Sequence, residues 1–177
     1  LAVLAAIVRC VRPRTVFEFG TQDGNTTLQL ALNVPEECVV YTIDLPSQNK
    51  VTRLRLDSGD REMIETVSPG ERFKEAPSAK KIVQIQSDSA TYDYSSLKGK
   101  IDIVFVDASH SYEYIKNDTK HALVMLAPEG IILWHDYMVW NDVTDYLNEL
   151  SKTVPLLHIN NTSLVVYNVA QRTKKLV

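Results

Sequence analysis

What most constrains the fold is a repeated pattern: apolar runs, several rich in β-branched residues, each ending on an acidic or small polar residue, with helical segments between most of them. The runs are TVFEF (15–19), CVVYTID (38–44), KIVQIQ (81–86), KIDIVFVD (100–107) and GIILWHD (130–136). Near-continuous apolar runs of this length belong to strands buried on both faces, and strands alternating with helices imply a parallel sheet covered on both sides. Two more runs, VPLLHI and SLVVYNV, are separated only by NNT, a link short enough for a hairpin, which adds an antiparallel edge. The expected fold is therefore α/β, with a seven-stranded, mostly parallel sheet in a single domain over 1–177.

The helices have readable limits. LAVLAAIVRCV is stopped by Pro13, which cannot continue a helix. A second helix runs from the polar start Asn25, Thr26 and Thr27, whose side-chain oxygens can cap free amides, to about Asn33. A third covers 112–126, where Tyr114, Ile115, Leu123 and Leu126 partly share a face, and a fourth covers 139–152. Residues 45–80 break the rhythm: they are polar, carry Pro46, Pro69, Gly70 and Pro77, and have weak helical periodicity only around 60–67. This stretch is expected to be an irregular insertion or lid.

Composition excludes several classes. A chain of 177 residues can bury about 70% of the surface its unfolded form exposes, enough for a pocketed enzyme domain. A net charge of −3 offers no basic surplus for a phosphate backbone, so nucleic acid is not an expected partner. LAVLAAIV is cut off by Arg9, too short to cross a bilayer, so no membrane partner is expected. Cys10 and Cys38 form no CxxC pair, which suits a reducing, cytoplasmic setting. The first residue is Leu rather than Met, from which a preceding N-terminal segment is expected. Homo-oligomerisation is left open.

In an open parallel sheet, ligands bind outside the carboxyl ends of the strands, where strand order reverses. The groups expected there are Glu18 and Gly20, Asp44, Ser87 and Asp88, Asp107, and His135 with Asp136. So many acids on one rim repel one another unless a cation, a metal or a hydroxyl-rich ligand shares the site. Glu18, Gly20 and Gly24 form E-x-G-x-x-x-G, with Asp44 at the end of the next strand. That carboxylate can accept ribose hydroxyls, but the turn lacks the third glycine of a dinucleotide fingerprint and Gln22 fills a middle position. The loop suits a ligand with a ribose and no phosphates.

With these residues in view, the chain resembles the class I, Rossmann-like S-adenosylmethionine-dependent methyltransferases over about 14–168. VFEFGTQDGNTT looks like their first motif, YTIDLP like the ribose-binding strand, and QSDSA like the segment beside adenine. VDASHSYEYIKNDTKHALVMLAPEGIILWHDY is the most specific part, similar to the branch of small-molecule and sugar O-methyltransferases with D-x-x-H-x-Y and a strand ending in an acidic pair or HD. The resemblance implies S-adenosyl-L-methionine as cofactor. Gly20 would admit its methionine part, and Glu18 would hold the loop or the ammonium group. Asp44 would take the ribose, Asp88 and Ser89 would flank adenine, and Thr21, Gln22 and Gly24 would complete the loop. Asp107 would face the methionine or a metal.

Methyl transfer to a hydroxyl of a small-molecule acceptor needs that hydroxyl aligned and deprotonated. Two routes are open. Asp107 and Asp136, with His135, could hold Mg²⁺ or another divalent metal, His135 favouring a transition metal over Mg²⁺. Alternatively His110, with a reference pKa of about 6.5, could act as base beside Asp107, or simply order its own loop. Tyr112, Trp134, Tyr137 and Trp140 are candidates for an acceptor pocket or for the core, whereas His121 and His158 read as structural. The alternative function is a catalytically silent, methyltransferase-like binding module, against which the charged rim weighs. An NAD-dependent oxidoreductase fails on the glycine pattern and on the hairpin.

Overall fold

The computed structural model describes residues 1–48 and 50–168; the expected single domain of 1–177, and the close of the seventh strand at Val169, run past the described residues. The elements follow the chain as α1 (Ala2–Val11), β1 (Thr15–Phe19), α2 (Asn25–Asn33), β2 (Val39–Asp44), α3 (Ser58–Thr66), β3 (Ile82–Gln86), β4 (Ile101–Val106), α4 (Tyr112–Met125), β5 (Leu126–Trp134), α5 (Asn141–Leu150), β6 (Leu157–His158) and β7 (Val165–Asn168). The sheet has seven strands in the order β3-β2-β1-β4-β5-β7-β6. Pairings from β3 through β5 are parallel, and β7 runs antiparallel to both β5 and β6. This is the expected Rossmann-like sheet with its closing hairpin.

Both faces of the sheet are covered because its central strands are apolar on both. Val16, Val40, Ile103, Phe105 and Leu133 pack under Leu4 and Val8 of α1 and Leu30 and Ala31 of α2. Phe17, Phe19, Val104 and Ile132 point the other way, against Ile115, Ala122 and Met125 of α4 and Val143 and Leu147 of α5. Each such side chain, fully buried, stabilises the fold by about 1.5–3 kcal/mol. The chain steps outward from β1 to β2 and β3 and then returns to place β4 on the other side of β1, so strand order reverses between β1 and β4 and opens a crevice at their carboxyl ends.

Local departures from the sequence expectations have physical causes. Asn25, Thr26 and Thr27 do not cap α2; Gly24 precedes the helix in a left-handed conformation, and the Asn25 amide is taken by Asp23 Oδ1 at 2.9 Å. Thr27 is turned inward and gives its hydroxyl to Glu18. On α4 the buried face is Tyr114, Ile115, Asp118, Thr119, Ala122 and Met125, while Leu123 is exposed and Leu126 starts β5. β5 begins before Gly130, because Leu126 already pairs with Ile101 across a register shift. The VPLLHI run keeps only Leu157–His158 as strand. Residues 45–80 contain α3 and two short 3₁₀ turns, Glu71–Phe73 and Pro77–Lys81. No helix among the described residues is long and apolar enough to cross a membrane.

Candidate active site

A cavity of about 380 Å³ lies at the carboxyl ends of β1 to β5. That is within the ~300–1,000 Å³ of small-molecule sites. From the rim it is lined by Gly20, Thr21, Gln22, Asp44, Asp88 and Ser89, with Asp107, His110, His135 and Asp136 beyond them. Glu18 and Gly24 are not on its wall.

The glycine turn is built around two close approaches. Gly20 has φ +93°, and a Cβ there would collide with the carbonyl oxygen of Asp107. Gly24 has φ +87°, and a Cβ would meet the Phe73 ring at 2.6 Å, so this glycine seats the insertion. Below the turn Glu18 is fully buried. Thr42 Oγ1 donates to Glu18 Oε2 at 2.7 Å, and Thr27 donates to the same oxygen. With its hydrogen so committed, Thr42 accepts from Thr21 at 2.7 Å. Burial pushes the Glu18 carboxyl up to about 8 despite these two hydroxyls. Glu18 is therefore largely protonated at neutral pH, and with Oε2 accepting twice the proton falls to the unpartnered Oε1.

Asp44 holds the loop from the next strand end. Its Oδ2 accepts the Gln22 amide and its Oδ1 the Leu45 amide, each at 2.7 Å. Burial raises its pKa, opposed by those amides. Asp88 accepts from the Ala90 amide (2.8 Å), the Tyr114 hydroxyl (3.0 Å) and the Arg53 amide of the insertion (2.6 Å). Ser89 is fixed by its carbonyl, which accepts from the Tyr94 hydroxyl at 2.9 Å.

At the other end of the cavity two histidines sit among carboxylates. His135 Nδ1 lies 3.1 Å from Asp107 Oδ1 and 3.0 Å from Asp136 Oδ1. Neither contact has hydrogen-bond geometry, so this buried nitrogen is without a proper partner and the attraction is electrostatic. Asp107 and then Asp136 push the His135 imidazole up to about 10. Burial lifts the Asp107 carboxyl, with His135 opposing. Burial would lift Asp136 as well, but His110 and His135 hold it well below the usual carboxylate range. One ligand atom from each of Asp107, His135 and Asp136 falls within 4.8 Å of the others. The two carboxylate oxygens and the orphaned His135 Nδ1 fit a divalent metal, and the mixed donors fit a transition ion better than Mg²⁺.

His110 is engaged at both nitrogens. Nδ1 meets Asp60 Oδ1 at 2.5 Å and Nε2 meets Asp136 Oδ2 at 2.8 Å, while the ring stacks on Trp140 with centroids 4.3 Å apart. Burial would lower its pKa, but the two carboxylates raise it to about 9, so in this arrangement it is a cation without a free nitrogen. Of the aromatic candidates for an acceptor pocket, only Trp140 lines the cavity. Trp134 is fully buried and donates to Thr119; Tyr112 and Tyr137 bond to Glu149 and Asn148. His121 stacks on Tyr94 at 4.4 Å and His158 bonds the Thr162 carbonyl, both structural.

The residues that sequence reasoning missed lie almost entirely in 45–80. Lys50, Leu56, Asp60, Met63 and Ile64 form the far wall of the cavity. The insertion is tied down by Gly70 N to Gln22 O at 2.8 Å and by Arg72 to Asp23 at 2.5 Å. The only signal for it was the faint periodicity near α3.

A seven-stranded sheet with an antiparallel hairpin, and a glycine turn facing acidic strand ends, define a class I methyltransferase. A family model described as a methyltransferase domain matches residues 17–137, and the chain belongs to that family. Among solved structures it is similar to an O-methyltransferase, TomG of Streptomyces achromogenes, involved in tomaymycin synthesis and solved in complex with SAM. Identity there is 17% and the TM-score 0.63, over 94% of this chain and 78% of that one. It is also similar to an SAH-bound methyltransferase of Podospora anserina (16% identity, TM-score 0.67, 94% and 76% covered). A methyltransferase of Geobacter sulfurreducens matches at 16% identity and TM-score 0.61, with 95% and 77% covered. These likenesses are of fold. No curated protein matches the chain by sequence.

Proposed function

We propose that the chain transfers a methyl group from S-adenosylmethionine to a hydroxyl of a small metabolite or sugar, with a divalent metal held by Asp107, His135 and Asp136. The observation that carries the reading is the single cavity wall joining Asp44, Asp88 and Ser89 to that trio. Asp44, rigidly oriented by two amides, keeps lone pairs free for ribose hydroxyls. Ser89 and Asp88 sit where adenine would stack beyond the ribose, and Gly20 and Thr21 border the space for the methionine part. The similar structures solved with SAM or SAH bound support the cofactor assignment. The metal would lower the pKa of an acceptor hydroxyl, which a neutral-pH methyl transfer to oxygen needs. Against His110 as the base stands its lack of a free nitrogen.

Calorimetric titration with S-adenosylhomocysteine tests the cofactor: binding is expected in wild type, with about 10- to 100-fold weaker binding in Asp44→Ala, the loss of charge-assisted hydrogen bonds. No binding at millimolar ligand would sink the reading. A panel of hydroxylated acceptors with labelled S-adenosylmethionine, run with and without chelator, tests the rest. Transfer that chelator stops and Mn²⁺ restores is the expected outcome; transfer indifferent to chelator would remove the metal.

A further inference from the structure

Asp60 is the one buried residue of α3, with only 3% of its surface exposed, although it sits in an otherwise polar insertion. All its acceptor capacity is directed at one loop. Oδ2 accepts from Ser109 Oγ at 2.6 Å and from the His110 amide at 2.9 Å, while Oδ1 meets the His110 ring. The other ring nitrogen reaches Asp136 Oδ2 at 2.8 Å. Asp136 is thus divided: Oδ2 faces His110, and Oδ1 lies 3.0 Å from His135 Nδ1, inside the trio with Asp107. Its backbone is left-handed, φ 62°, which a non-glycine residue holds only when its surroundings fix it.

A second contact locks the same geometry. The Trp140 ring that stacks on His110 also packs against Gly59, where a Cβ would come within 2.8 Å of Trp140 Cη2. Gly59 and Asp60 therefore meet Trp140 and His110 side by side, and the Asp57 side chain caps the helix that presents them by accepting from Gly59 N at 2.8 Å. Other ties of the insertion, among them Arg53 N to Asp88, Gly70 N to Gln22 O and Arg72 to Asp23, end on other parts of the rim.

We propose that Asp60 is a positioning residue of the active centre: brought in by the insertion, it orients His110, which orients Asp136, so that Asp136 Oδ1 is aligned with Asp107 and His135 only while α3 is docked. This rests on the metal reading above. Outer partners that orient a metal-binding carboxylate or histidine typically govern affinity about 10- to 100-fold. The lid and the chemistry are then one device, since the group that closes the cavity also completes the site.

The test measures Mn²⁺ affinity by electron paramagnetic resonance in the presence of S-adenosylhomocysteine, and homologue affinity by calorimetry, in wild type, Asp60→Ala, Asp60→Asn and Asp136→Asn. Expected is Mn²⁺ binding at least ten-fold weaker in Asp60→Ala, an intermediate loss in Asp60→Asn, which keeps one acceptor, and none detectable in Asp136→Asn. S-adenosylhomocysteine affinity in the Asp60 variants should fall several-fold less than Mn²⁺ affinity, because the other ties keep the insertion in place. Wild-type Mn²⁺ affinity in both Asp60 variants overturns the proposal while leaving the metal reading standing. Equal losses of Mn²⁺ and homologue binding reduce Asp60 to a lid tether and also overturn it. Absence of Mn²⁺ binding in wild type removes the metal reading and this proposal together.

Discussion

Gly20→Ala is expected to lower stability by about 3–5 kcal/mol, a large share of a total stability of about 5–15 kcal/mol. Two costs add. At φ +93° an L-residue is strained whatever its surroundings. The added methyl group would also lie against the Asp107 carbonyl and the Ala108 Cα, all backbone, so no side chain can swing away. Relief requires moving the end of β4 from β1, which breaks the hydrogen bond from Asp107 N to Phe19 O, 3.0 Å in the native arrangement. Gly99→Ala separates the costs, since Gly99 has φ +68° but nothing within 4 Å of its would-be Cβ. Thermal unfolding followed by circular dichroism should show a small drop of a few degrees for Gly99→Ala and about 10 °C or more for Gly20→Ala. Equal shifts would mean that the contact with Asp107 carries no energy. This glycine therefore serves the sheet as well as bordering the cavity: it lets β1 turn sharply over the strand that carries Asp107.

That double use explains why much of the site was legible in the sequence. Asp44, Asp88, Asp107 and Asp136 lie at strand ends or within two residues after them, and the strands are written as apolar runs that any reader can find, even β3 at the half-exposed edge. Glu18 was legible as important but not as to its place, because a carboxylate in a β1 sequence gives no sign that two threonines from α2 and β2 will close over it. α3 was nearly invisible for a related reason. Its one buried position is Asp60, whose partner is an imidazole, and the apolar residues of the same face, Met63 and Ile64, line a cavity rather than a core. Periodicity of apolar residues detects helices that pack on cores and misses helices that pack on charges. The acidic rim raised the question of repulsion, and contacts answer part of it: His135 lies between Asp107 and Asp136, His110 bridges Asp136 and Asp60, and Asp44 and Asp88 accept backbone amides.

The second large effect is expected at Asp118, which is fully buried on the inner face of α4. Its Oδ1 accepts from Asn117 Nδ2 at 3.0 Å, its Oδ2 has no partner, and Asp88 is the neighbouring charge. Burial pushes its pKa up to about 7 from an ordinary 3.8, against the Ser89 and Asn117 bonds that lower it. Between these values the folded chain keeps a proton that the unfolded chain has released. Stability from this group is therefore complete below about pH 4, declines as pH rises toward 7, and stays reduced above it. A displacement of this size corresponds to several kcal/mol, on the order of 4. Asn at this position keeps the shape and one acceptor but never ionises. Asp118→Asn should therefore be more stable than wild type at pH 8 by a few kcal/mol, with little difference at pH 4. The comparison is made between the two proteins at each pH, so the other groups cancel: Asp136, whose contribution grows as pH rises, and His110 and His135, whose contributions fall as pH rises, as that of Asp118 does. Urea unfolding at pH 4, 6 and 8 measures it, and a variant that is no more stable than wild type at pH 8 would show that Asp118 is ionised in the fold at little cost. Because Asp118 lies beneath Ser89, S-adenosylhomocysteine titration of the same variant shows what the charge is kept for. Weaker binding in a more stable protein would mean that the buried carboxylate holds the adenine end of the cavity in shape at the expense of stability.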